Sequence, residues 1–116
     1  MKLSGLSLDE ARVELLLAKA SYCDFMRAYC EAIELKASID RALMTGSKID
    51  VEEVSKMKRL TKIAEKCLKE AVMRIEKLRA LVADDEAMTT AIADLVKMIG
   101  KKVEGFRSFK EDLELY

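Results

Sequence analysis

From Leu8 to Met44 the chain runs without a proline or a glycine, and apolar residues take up more than half of the circumference a helix would give them. Few folds can accommodate such a stretch. Ser7 followed by Glu10 has the spacing of a capping box, with Leu6 and Ala11 placed as a hydrophobic staple across it. At the far end, Gly46 stands where a left-handed residue closes a helix. Between these signals one seam repeats at heptad spacing: Leu8, Ala11, Leu15, Ala18, Tyr22, Phe25, Tyr29, Ala32, Ile39 and Leu43, interrupted only by Lys36. A second line of Leu16, Cys23, Cys30 and Ala37 runs beside it, with Leu17, Ala20, Met26 and Ile33 filling the gaps. The polar face is narrow, comprising Glu14, Ser21, Asp24, Arg27, Glu31, Glu34, Ser38 and Arg41. A helix resting on one partner needs an apolar arc of about 100°. This arc is wider, so the helix is expected to be covered from two sides.

Two further helices supply the cover. Asp50 with Glu53 repeats the capping-box spacing, with Ile49 and Val54 as its staple. A seam of Val54, Met57, Thr61, Ala64, Leu68, Ala71, Ile75, Leu78 and Val82 follows, flanked by Leu60, Cys67 and Leu81. Alanines on both seams would let the two backbones approach closely. Asp84-Asp85-Glu86 marks the next start, since acidic residues favour a helix N-terminus. Met88, Ile92, Leu95, Ile99, Phe106, Phe109 and Leu113 then share a face, with Lys102 interrupting them. The expected fold is all-α: an up-down-up bundle of three long helices over residues 8–44, 51–83 and 86–113, as a single domain over 1–116. The alternative is a helical hairpin in which the second and third helices are fused and a second chain completes the bundle. Gly100 and Gly105 weaken the last helix, and the tail from Glu111 to Tyr116 is expected to fray.

Composition narrows the function classes. The chain has no proline and four glycines, with 51% hydrophobic and 36% charged residues, which suits long helices rather than disorder. No apolar run approaches a membrane span and no secretory leader is evident, so a cytoplasmic protein is expected. Histidine is absent, which removes Ser-His-Asp and Cys-His catalysis and imidazole metal ligation. The three cysteines include no CxxC pair and are expected as reduced thiols packed on apolar faces. If the second helix folds back through the turn at 45–50, residue numbers across the pair sum to about 95, and Cys30 and Cys67 lie at similar height. The alternative to inert packing is then a disulfide or a soft-metal site.

Other motifs are weaker. Thr45-Gly46-Ser47-Lys48 lacks the spaced glycines and the preceding strand of a phosphate loop. Glu31 and Glu34 have the ExxE spacing of all-helical Mg²⁺-dependent pyrophosphatases, but no ExxD follows. Tyr29 to Glu34 resembles the Tyr-x-x-Ala-Ile pattern of small helical interaction modules such as TPR or MIT domains. No 34-residue repeat accompanies it, so no function follows. No catalytic, cofactor-binding or metal-ligating set is assigned.

Charge balances at 21 basic against 21 acidic side chains, unevenly distributed. The basic excess falls in residues 47–83 and the acidic excess in 84–116, which reads as an intramolecular match between the second and third helices. Lys56, Arg59, Lys62, Lys66 and Lys69 share one face of the second helix over about 20 Å. Such a ridge suits a phosphate backbone or an acidic protein partner. Lys36 and Lys102, on otherwise apolar seams, are expected either to snorkel or to set register by pairing with a carboxylate across an interface. The reading is a non-enzymatic helical interaction protein, either a homo-oligomeric (homodimeric) scaffold or the small subunit of a larger complex. The alternative is nucleic-acid backbone binding through the ridge, as in a small ribonucleoprotein subunit.

Overall fold

The computed structural model describes residues 2–3, 6–82 and 84–116, with side chains from Ser7 onward apart from residue 83. Three helices account for nearly all of it: α1 (Leu8–Thr45), α2 (Val51–Leu81) and α3 (Glu86–Asp112), followed by a 3₁₀ turn over Leu113–Leu115. Ahead of α1, two short strands, β1 (Lys2–Leu3) and β2 (Leu6–Ser7), pair antiparallel; nothing in the sequence pattern pointed to this ladder. The chain is all-α in class and forms a rod of 63 × 20 × 17 Å.

Each helix starts on the residue its local chemistry selects. Ser7 accepts from the Glu10 N–H at 3.1 Å, Asp50 from Glu52 at 2.9 Å, and Asp85 from Met88 at 2.8 Å. These bonds satisfy N–H groups left without intrahelical partners. The return bonds from Glu10 and Glu53 that would complete capping boxes are not formed among the described residues. The staple of Leu6 on Ala11 lies outside the described side chains. Gly46 closes α1 at φ 72°. Its N–H donates to Leu43 and the Ser47 N–H to Ala42, 3.3 and 2.9 Å away, the paired bonds of a Schellman motif.

The second and third helices are separate, so the fused hairpin is not the arrangement adopted. α2 ends at Leu81, slightly before the expected residue 83, and Asp85 re-caps the chain as α3. The topology is up-down-up. Glu31 faces Lys56 and Glu14 faces Arg74 across the antiparallel α1–α2 pair. Tyr29 meets Phe106 and Phe109 across the parallel α1–α3 pair.

Residue size sets the spacing of these pairs. Ala11, Ala18, Ala28 and Ala32 on α1 and Ala64 and Ala71 on α2 are buried, and α1 and α2 pack more closely on each other than either does on α3. Aromatic rings hold α3 further off. Phe25 and Phe106 meet edge to face at 5.1 Å, and Tyr29 packs on Phe106 at 5.1 Å. Edge-to-face pairs of this kind contribute about 0.5–1.5 kcal/mol beyond the area they bury.

Numbers across α1 and α2 sum to 87 for Glu31 with Lys56 and 88 for Glu14 with Arg74, not the expected 95. The loop between the helices runs back along the end of α1, with Ile49 packed against the core. This displaces α2 by about 11 Å and leaves Leu43 and Met44 exposed. Cys30 and Cys67 are therefore offset by roughly 14 Å along the helix axes, well beyond disulfide reach. The expected common height of these two thiols is overturned.

Candidate association surface

α1 has two neighbours, α2 and α3, but they do not cover the whole of its apolar arc, and the flanks they take are not those the polar residues suggested. Ser21, assigned to the polar face, is buried. Glu14, from the same face, is half-covered and accepts from Arg74 on α2 at 3.2 Å. Small side chains explain the choice: Ser21 and Ala28 let α2 close in, whereas the line containing Leu16 does not.

That line is left in solvent. Leu16 is 62% exposed, Val13 54% and Leu17 41%. Ala20, Cys23 and Cys30 are also exposed. The expectation that Cys23 and Cys30 pack as buried small hydrophobes is therefore corrected. Asp9, Val13, Leu16, Ala20, Cys23 and Arg27 follow each other at three- and four-residue steps, so they form one stripe on the side of α1 turned away from the core. The stripe is apolar from Val13 to Cys23 and carries one charge at each end. Asp9 pairs with Arg12 at 3.6 Å and Arg27 with Asp24 at 3.5 Å, all four being exposed. A cleft of about 400 Å³ opens beside the stripe between α1 and α3, lined by Tyr22, Cys23, Ala91, Leu95 and Met98 with Lys19 and Asp94 as its charged groups.

Cys67 sits in a different environment. It is half-buried between helices, and burial raises its thiol above the ordinary range, reinforced by the neighbouring Asp24 and Glu70 carboxylates.

The basic ridge keeps its geometry on α2 but not all of its charge. Lys56 lies 3.5 Å from Glu31 of α1, and Lys69 lies 3.4 Å from Glu65. Arg59, Lys62 and Lys66 are exposed and form no ion pair among the described residues. The expected match of a basic α2 with an acidic α3 is corrected too. The carboxylates that face α2 cations from another helix are Glu14 and Glu31 of α1, and the α2–α3 ion pair among the described residues runs the other way, from Lys110 to Glu65.

The remaining singled-out residues have local roles. Lys36 is half-buried and bonds Asp40 one turn on in the same helix, at 2.8 Å, so this pair does not set register against another helix. Lys102 is exposed and has no ion-pair partner among the described residues. Thr45 donates to the Arg41 and Ala42 carbonyls and shares a 2.9 Å hydrogen bond with Ser47, so Thr45-Gly46-Ser47-Lys48 is a helix terminus. Within the Tyr29–Glu34 segment, Tyr29 and Ala32 are core residues while Cys30 and Ile33 face outward. Among the described residues no three His, Cys, Asp or Glu side chains gather as metal ligands, and no helix is long and apolar enough to cross a membrane. Comparison with protein-family models, with curated proteins and with solved structures found no match for this chain.

Proposed function

We propose that this is a non-enzymatic, cytoplasmic association protein that self-assembles through the outward stripe of α1. One observation carries the reading: Val13, Leu16, Leu17, Ala20 and Cys23 form a contiguous apolar surface on a helix whose core side is already satisfied. Singly exposed apolar residues are ordinary on a protein surface, whereas a continuous rank bounded by charge is the pattern of an interface. A second copy would cover the rank with an equal one and turn the edge of each bundle into the centre of a larger one.

Static light scattering after size exclusion tests this. The expected mass is twice the 13.1 kDa of the chain. A single-chain mass at every concentration would remove self-assembly and leave a different protein subunit as the partner. The nucleic-acid reading has less support, because Lys56 and Lys69 already face carboxylates and the chain carries no net charge. Filter binding in low salt checks it: retention of RNA or DNA that is lost in Lys62→Glu would favour the ridge instead.

A further inference from the structure

Charge at the two ends of the stripe selects one mode of pairing. We infer that two copies associate antiparallel about a twofold axis at residue 18, placing Asp9 of each chain against the partner's Arg27. This rests on the self-assembly reading above and adds its direction and register.

Asp9, Leu16 and Cys23 form one row of the stripe, and Val13, Ala20 and Arg27 the other. In an antiparallel pair of helices the residues of one row face those of the partner's other row. Facing numbers then share a constant sum, and a sum of 36 matches the three layers of the stripe. Leu16 meets the partner's Ala20, Val13 meets the partner's Cys23, and Asp9 meets the partner's Arg27. The apolar layers are enclosed by opposite charges at both ends, over a seam of about 27 Å. Parallel pairing would instead set Asp9 against Asp9 and Arg27 against Arg27, two like-charge layers that oppose association. An antiparallel register one heptad along would bury Arg27 against the partner's Leu16 and bring Glu34 to the partner's Asp9. The charges needed for the sum of 36 are available, since Asp9 and Arg27 are held only by exposed pairs within their own chain.

Cysteine crosslinking reads the register directly, because Cys23 is exposed. In this arrangement the two Cys23 residues are separated by about 15 Å along the seam and cannot be joined. Val13→Cys, at a position already in solvent, would place a thiol opposite the partner's Cys23. Mild oxidation of V13C is expected to give a reducible covalent dimer whose linked peptides join positions 13 and 23, while the wild-type chain gives no link through Cys23. Links joining 13 to 13 or 23 to 23 overturn the register while leaving self-assembly intact. A chain that scatters as a monomer overturns both. Charge exchange gives a second readout that does not depend on thiols. Asp9→Lys should weaken the dimer by about tenfold or more, and combining it with Arg27→Glu should restore most of the loss. An unchanged affinity in D9K, or no recovery in the double variant, counts against the pairing, with circular dichroism showing that each chain stays helical.

Discussion

The Tyr116 hydroxyl donates a hydrogen bond to the Asp40 carboxylate and ties the segment after α3 to α1. The same carboxylate accepts from Lys36 at 2.8 Å, and the Lys36 ammonium lies 5.7 Å from the centre of the Tyr116 ring. Lys58 of α2 donates to the Tyr116 carbonyl at 2.9 Å. Tyr116 thus touches both other helices, and the tail expected to fray is tethered, with Leu113 buried beneath it.

Removing that tether should be measurable. Tyr116→Phe loses one partly covered hydrogen bond to a charged group, about 1 kcal/mol, and Tyr116→Ala should cost roughly 1 kcal/mol more by uncovering Lys36. Urea denaturation reports the loss, and amide exchange around Leu113 should accelerate. An unchanged midpoint in Y116A would show that the contact is incidental.

The glycines should respond in opposite directions. Gly46 holds a positive φ that side chains rarely adopt, so Gly46→Ala should destabilise by about 1 kcal/mol. Gly100 lies within a helix with open space where a Cβ would go, so Gly100→Ala should stabilise by about 0.5–1 kcal/mol. Gly105 falls between them, because an added Cβ would sit 3.3 Å from the Tyr29 hydroxyl. G105A should therefore gain less than G100A, as thermal midpoints will show.

α3 depends on its aromatic side chains more than α1 or α2 does. Phe106 is buried against Phe25 and Tyr29, and Phe106→Ala should cost about 3–5 kcal/mol. Hydrogen exchange should show α3 opening first, with the alanine-lined α1–α2 pair still protected. Uniform loss of protection across all three helices would contradict this division.

Thiol chemistry separates the three cysteines. Cys30 is exposed and lies off the paired layers, so it should be alkylated first, whereas Cys67, half-buried with its pKa raised, should lag. Cys23, exposed in the single chain, should be protected in the dimer and react quickly only on dilution. Burial also raises Tyr22 and Tyr29 above their ordinary 10.0. Acids with raised folded pKa values hold their protons more tightly in the folded chain. Their contribution to stability is full below the unfolded values and is lost as pH rises through the folded ones. Urea midpoints should accordingly fall as pH climbs past 9.0 for Cys67 and then past 10.0 for the tyrosines. A midpoint that rises over that range would reverse the sign.

Local chemistry made the helix starts legible: Ser7, Asp50 and Asp85 each cap from their own side chain, and Gly46 stops α1 through its own backbone. The seams were legible for the same reason, since Met88 to Leu113 on α3 recur at a fixed period and are buried together. Lateral arrangement was not. Periodicity says that α1 is apolar on most sides but not which flank a neighbour takes, and that depended on how closely α2 could approach Ser21 and Ala28. Register was hidden in the loop, where Ile49 turns the chain back along α1 and shifts Cys67 away from Cys30. The line Leu16, Cys23, Cys30 and Ala37 was visible as apolar and was expected to be covered, but only the placement of α2 and α3 shows that no described residue of this chain covers it.

Sedimentation velocity of the wild-type chain beside Leu16→Glu tests the central claim most directly. Leu16 is 62% exposed within a single chain, so the substitution should leave helix content and the thermal midpoint of the isolated fold nearly unchanged. The wild-type chain should sediment as a dimer at micromolar concentration and L16E as a monomer. A wild-type chain that sediments as a monomer, or an L16E chain that remains dimeric, would contradict assembly through the outward stripe of α1.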